Sequence, residues 1–152
     1  MSGRIISWAS SEGTRRSMQA NKGRDTSPEL RVRKLMHTEG LRYRVNYRPL
    51  PGLRRTADIV FTRHRLAVFI DGCFWHGCME HYQRPTSNHE YWDQKVTRNR
   101  ERDIETDRAL VACGWHVMRF WEHEAVKDPA AIVKRVRLQL QSISEGQRRH
   151  CS

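Results

Sequence analysis

The chain contains no apolar run approaching the roughly 20 residues that a membrane-spanning helix needs, so a helical span is not expected. Its polar, basic start over residues 1–21 lacks the apolar centre of a secretory signal. A soluble protein of the cytosol is therefore expected. Cysteine is scarce, with only Cys73, Cys78, Cys113 and Cys151. Without a secretory signal these do not suggest a disulfide framework, which leaves metal binding or burial. Repeats and an internal domain boundary are both missing, and 152 residues suit one domain with a modest core. Acidic residues are also in short supply. There are 17 Asp and Glu against 28 Lys and Arg, a formal charge of +11. Arginine supplies most of the excess, and its planar donor fork suits phosphate oxygens. Such a chain generally meets a polyanion, nucleic acid first among them.

What is present reads as three parts: a basic arm over residues 1–25, a folded domain over 26–143 and a polar tail over 144–152. Arg4, Arg15, Arg16, Lys22 and Arg24 populate the arm, with a short helical turn compatible with residues 15–20. The first regular element begins at Thr26-Ser27-Pro28-Glu29. Pro28 fits a first helical turn, and either a Thr26–Glu29 capping box or Ser27 alone can cap it. Val32, Leu35 and Met36 form its apolar stripe, and Gly40 ends it through positive φ. Residues 41–46 alternate with a period of two, as a strand with one buried face does. Strands over 57–61 and 66–70 follow, and the short connection between them predicts an antiparallel hairpin. The second is apolar throughout, which predicts a central strand covered on both faces.

A long helix is expected over 89–112 with Trp92, Val96, Ile104 and Val111 as apolar contacts, and Arg100–Asp103 and Arg102–Glu105 as neighbours of opposite charge. Gly114 stops it. A strand over 116–121 and a last helix from Asp128-Pro129, with Ile132, Val133, Val136 and Leu140 inward, complete an α/β layer on a mixed sheet.

The chemistry gathers between two of these elements. Asp58 opens one strand and Asp71 follows the next, so two carboxylates can converge at one sheet edge. Oxygen ligands so placed suit Mg²⁺, which can polarise a phosphoryl group and supply a hydroxide nucleophile. The plainer alternative is two strand-end acids with no shared role. Glu29 is a candidate third acid, or simply a helix-dipole partner. His76 can serve as a base or assist a leaving group near neutral pH. Phe74 and Trp75, adjacent aromatics in a loop, either wedge between base pairs or cap the core and pack on the neighbouring helix. Cys78 and His81 have the Cys-x-x-His spacing of two zinc ligands, with His89, Asp103, Cys113, His116 and His123 all open as partners.

Together these segments resemble a known family. The motifs are Thr14-Arg15-Arg16-Ser17-Met18, Asp25-Thr26-Ser27-Pro28-Glu29, Gly40-Leu41-Arg42-Tyr43-Arg44, Ala57-Asp58-Ile59-Val60-Phe61, Asp71-Gly72-Cys73-Phe74-Trp75-His76-Gly77-Cys78, Pro85, Tyr91-Trp92, Asn99, Arg102-Asp103, Gly114-Trp115 and Trp121-Glu122. From about residue 14 to 125 the chain resembles the very-short-patch-repair (Vsr) endonucleases. The resemblance implies a mixed sheet of the restriction-endonuclease type, related to the PD-(D/E)xK nucleases. It implies a monomeric enzyme that nicks 5′ of the thymine in a thymine–guanine mismatch left by deamination of 5-methylcytosine, in the bacterial cytosol or nucleoid. It makes Asp58 a Mg²⁺ ligand beside the backbone carbonyl of Ile70, His76 the catalytic histidine and Glu29 a supporting acid. Phe74, Trp75 and Trp92 match aromatics that enter the duplex, and Met18 matches a wedge from the arm. Asp71 stands where the best-known pattern has histidine, so it is either a direct ligand or a base. That departure keeps a non-catalytic mismatch-binding module as an alternative, beside a nickase of the same fold with broader specificity. The structural zinc set carried over is Cys78, His81, Asp103 and His123, with His123 where the family has cysteine, which would make Cys113 a buried bystander.

Overall fold

A computed structural model describes residues 26–73, 77–80 and 86–151. The basic arm with Met18, the loop residues Phe74, Trp75 and His76, and His81 lie outside the described residues. Helix α1 is Ser27–Thr38. Its apolar stripe buries Val32 and Met36 completely. Pro28 lies in the first turn as expected, but Thr26 makes no side-chain capping bond. The capping box does not form because the Glu29 carboxylate takes Arg33, one turn on, at 3.0 Å instead. Gly40 has φ of +84°, and the chain reverses there with Leu41 N–H bonded to the Met36 carbonyl at 3.0 Å.

Strand β1 is Arg44–Tyr47, β2 is Ala57–Phe61 and β3 is Leu66–Asp71. The expected strand over 41–46 is thus shifted towards its C-terminal side. Leu41 and Tyr43 pack on the core before the strand begins, whereas Val45 is exposed. At an edge, pairing with β2 alone holds the strand, and the burial alternation lapses. The β2–β3 hairpin is antiparallel, with Ile59 opposite Val68. It turns through a 3-10 segment, Thr62–His64, and a left-handed Arg65. Helix α2 is His89–Ala112 and β4 is His116–Trp121. Strand β4 pairs parallel to β3, so the four-stranded sheet runs β1-β2-β3-β4 and is mixed.

A short helix α3, Glu122–Lys127, follows without a break. Sequence patterning gave no sign of it, since only Ala125 is buried along it. The Glu124 carboxylate accepts the Trp121 N–H at 2.7 Å and so fixes its start. Helix α4, Pro129–His150, starts with the Asp128 side chain accepting the Ala131 N–H at 3.1 Å. It runs on through the residues expected as a polar tail. Ser144, with its hydroxyl 3.2 Å from His64, gives that extension a contact to the body of the fold.

The sheet separates two apolar clusters. On one side Val32, Met36, Ile59, Leu66, Val68, Phe120, Ile132, Val133 and Val136 bury against α1, α3 and α4. On the other, Ala57, Val60, Ala67 and Phe69 meet Leu110 of α2. In α2 the buried residues are Trp92, Val96, Thr106 and Leu110, while Ile104 and Val111 are exposed. The expected stripe is therefore one residue out of phase near the C-terminal end. Strand β3, buried along its length except at Asp71, is the central strand that its composition predicts.

Candidate active site and metal centre

The antiparallel hairpin brings the start of β2 to the end of β3. Asp58 Oδ2 accepts the backbone N–H of Ile70 at 2.7 Å, so the carboxylate is anchored across the strands. Burial pushes the Asp58 pKa up to about 7, and the nearby carboxylates of Glu29 and Asp71 push in the same direction. The Ile70 N–H and the Arg33 guanidinium work against that rise. Glu29 is only 3% exposed. It stands in the first turn of α1 and acts on Asp58 through its charge. The Tyr43 hydroxyl donates to the Arg33 carbonyl at 2.6 Å, holding the middle of α1 against the strand lead-in. The structure thus brings Asp58, Asp71 and Glu29 within one electrostatic neighbourhood.

Asp71 is held from an unexpected direction. Arg119 Nη1 on β4 donates to its two carboxylate oxygens at 3.0 and 3.1 Å. Asp103, expected among zinc ligands, lies with Oδ1 3.6 Å from the same Arg119 Nη1. Asp107 completes the group through Arg119 Nε. Neither Arg119 nor Asp107 was singled out in the sequence, although Arg119 is the only Lys or Arg within the strand His116–Trp121.

A second cluster joins residues after β3 to the first turn of α3. The ligand atoms of Cys73, Cys78 and His123 all lie within 4.8 Å of one another. His123 Nδ1 is 3.2 Å from Cys73 Sγ and 3.6 Å from Cys78 Sγ. Its other nitrogen, Nε2, faces the Glu80 carboxylate at 3.5 Å. Burial raises the Cys73 thiol pKa, and the His123 hydrogen bond opposes that rise. Cys78 and His123 were expected here. Cys73 was not, although it stands five residues before Cys78, whose N–H bonds the Cys73 carbonyl at 2.9 Å. Cys113 is exposed rather than buried, since it caps the C-terminus of α2. Trp92, expected to enter DNA, is 3% exposed and packs edge-on to Tyr91 at 5.1 Å between centroids.

A mixed sheet flanked by helices, with buried acids where its antiparallel and parallel strands meet, defines an α/β fold of the restriction-endonuclease type. Residues 10–83 match the family described as DNA mismatch endonuclease Vsr. The Type II nicking enzyme V.NaeI of Lentzea aerocolonigenes is 46% identical over 123 residues, covering 80% of this chain and 74% of the relative. The Type II nicking enzyme V.XorIIP of Xanthomonas oryzae is 42% identical over 130 residues, covering 84% of this chain and 92% of the relative. The DNA mismatch endonuclease Vsr of Escherichia coli is 36% identical over 109 residues, covering 70% of this chain and 67% of the relative. The chain belongs to the Vsr family of DNA endonucleases.

Proposed function

We propose that this endonuclease nicks one strand of DNA 5′ of the thymine in a thymine–guanine mismatch, by magnesium-assisted hydrolysis of the phosphodiester, acting as a monomer in the bacterial cytosol. The observation that carries the reading is the Asp58 carboxylate, buried beside Glu29 and Asp71 with its pKa pushed up to about 7. Three acids so close repel one another, and a divalent cation relieves that repulsion. The donor set therefore fits Mg²⁺, held by Asp58 and the adjoining Ile70 carbonyl. When bound, the ion supplies charge to a phosphoryl oxygen and lowers the pKa of water. The Ile70 N–H orients the Asp58 carboxylate that would hold it. Asp71, already bound to Arg119, supplies fixed negative charge nearby, and Glu29, paired to Arg33, supports Asp58. His76 acts as the proton-transfer group. Phe74, Trp75 and Met18 open the base stack at the mismatch, where unstacking costs least. Trp92 supports that wedge from within the fold.

Cys73, Cys78 and His123 fit a structural zinc: two sulfurs and an imidazole nitrogen, with the second imidazole nitrogen directed at Glu80 as metal-bound histidines generally require. His81 supplies the remaining ligand. Asp103 lies with Arg119 and is left to that cluster.

The names of the Lentzea and Xanthomonas relatives, type II nicking enzymes, favour a second reading, in which the enzyme nicks a broader range of mismatches or sequences. Nicking of thymine–guanine and of fully paired duplexes in Mg²⁺ separates the two. The wild type is expected to cut the mismatched duplex selectively, and Asp58→Ala to lose about a thousandfold or more in rate. Equal nicking by wild type and Asp58→Ala would overturn the active-site assignment. Tight binding without nicking by the wild type would favour a binding module.

A further inference from the structure

Strand β4 places a partly buried arginine between the sheet and α2, where a charge needs close partners to be tolerated. Alternation along the strands puts Phe69, Asp71 and Arg119 on the face that α2 covers. Arg119 lies over the Phe69 ring, its Cζ 4.1 Å from the centroid. Nη1 donates to both oxygens of Asp71. Nε donates to both oxygens of Asp107 at 2.9 and 3.0 Å, and Nη2 lies 2.7 Å from Asp107 Oδ1. Asp103 adds a carboxylate at 3.6 Å and its backbone carbonyl at 3.5 Å. A single planar fork thus joins the last residue of β3 to two successive turns of α2.

We propose that Arg119 is a positioning residue for the nuclease centre: by gripping Asp71 and anchoring it to Asp103 and Asp107 of α2, it fixes the end of β3, and with it the Ile70 backbone that Asp58 binds. The inference rests on the active-site reading above. Asp71 adjoins Ile70 in the chain, and Ile70 pairs with Phe120 next to Arg119. A displacement of Asp71 therefore moves the peptide to which Asp58 Oδ2 is bonded at 2.7 Å. The guanidinium also offsets the Asp71 charge, which lets that acid stand close to Asp58 before any cation arrives. Lysine offers a single point charge with no fork and cannot join the three acids in this geometry.

Two measurements on the full chain test the proposal. The first is amide hydrogen exchange by NMR without added Mg²⁺. In Arg119→Met, exchange at Ile70 and Asp71 is expected to accelerate about tenfold more than at Ile59 and Val68, because the loss is local to the strand end. A uniform change across the sheet, or none, would overturn the positioning role and leave Arg119 as a general support. The second is nicking kinetics. Arg119→Met is expected to lower kcat about 10- to 100-fold while KM for DNA stays within about threefold, as misplacement of a reacting centre does. Combined with Asp71→Asn, it should cost no more than the worse single change, because both break one contact. Independent, additive losses would overturn the proposal. Arg119→Lys serves if the methionine variant does not fold, and restoration of wild-type kcat by lysine would equally overturn it. If Asp58→Ala nicks as fast as wild type, the active-site reading fails by itself, while the exchange data still judge the grip of Arg119 on β3.

Discussion

Asp58 is held at some cost to the fold. A carboxyl group with its pKa at about 7 in the folded chain, against an ordinary 3.8, binds a proton more tightly when folded than when unfolded. The contribution of Asp58 to stability is therefore fullest at acid pH and is lost as pH rises from about 4 through 7. Asp58→Asn should remove this loss while an amide oxygen keeps the Ile70 N–H bond. Without added Mg²⁺, the variant is expected to be more stable than wild type at pH 8 by on the order of 2–4 kcal/mol, with the gap nearly closed at pH 4. Denaturant unfolding at the two pH values measures this, and an equal gap at both would refute the assigned cause. The two strand-end acids were legible in the sequence because position on a strand follows from local pattern. Their partners were not. Arg119 reaches Asp107 across 12 residues, from a strand to a helix, and Asp71 across 48, and periodicity within one element reports neither contact. Cys73 was passed over for a related reason: its partner His123 stands 50 residues away.

At the scale of elements, one glycine couples the loop after β3 to α2. Gly77 has φ of +64°, and a Cβ there would stand 2.6 Å from Val96 Cγ1 and 2.8 Å from Arg100 Nη2. The Arg100 guanidinium also donates to the Gly77 carbonyl. Gly77→Ala is thus expected to destabilise by about 1–3 kcal/mol through strain and overpacking, and, if the proposed zinc site is loaded, to release the metal more readily because Cys78 is the next residue. Thermal unfolding and metal analysis together read this, and an unchanged Tm would contradict the close approach. Leu110, fully buried beneath the sheet, should cost about 2–5 kcal/mol when cut to alanine, whereas exposed Val111 should cost little. That contrast tests the phase of α2, which the sequence reading set on Val111. Heptad-like spacing across a long polar helix constrains its start better than its end, because Trp92 and Val96 are flanked by polar residues while 109–111 are all apolar. The hairpin was plain from its short connection. Helix α3 was not, because one buried alanine makes no stripe.

For the whole molecule, a formal charge of +11 predicts DNA affinity dominated by phosphate contacts. Binding to a fully paired duplex should weaken roughly a hundredfold or more between about 50 and about 200 mM salt, as counterion release requires. A flat salt response in a filter or anisotropy titration would contradict a charge-led interface. The two clusters on either side of the sheet explain why the fold class was readable: each strand's pattern already states whether one face or both are covered. The mixed pairing has a further consequence, for the order of assembly. The hairpin that sets Asp58 against Ile70 closes between near neighbours in the chain, with little loop entropy to lose. The parallel partner must wait until all of α2 has been made, because Leu66 finds His116 across that helix, and such non-local pairings form slowly. During synthesis the acids therefore precede Arg119, which bonds Asp71, and the two cysteines precede His123. A truncated or stalled chain carries the hairpin without Arg119, so nuclease competence is delayed until the last third of the protein is being made.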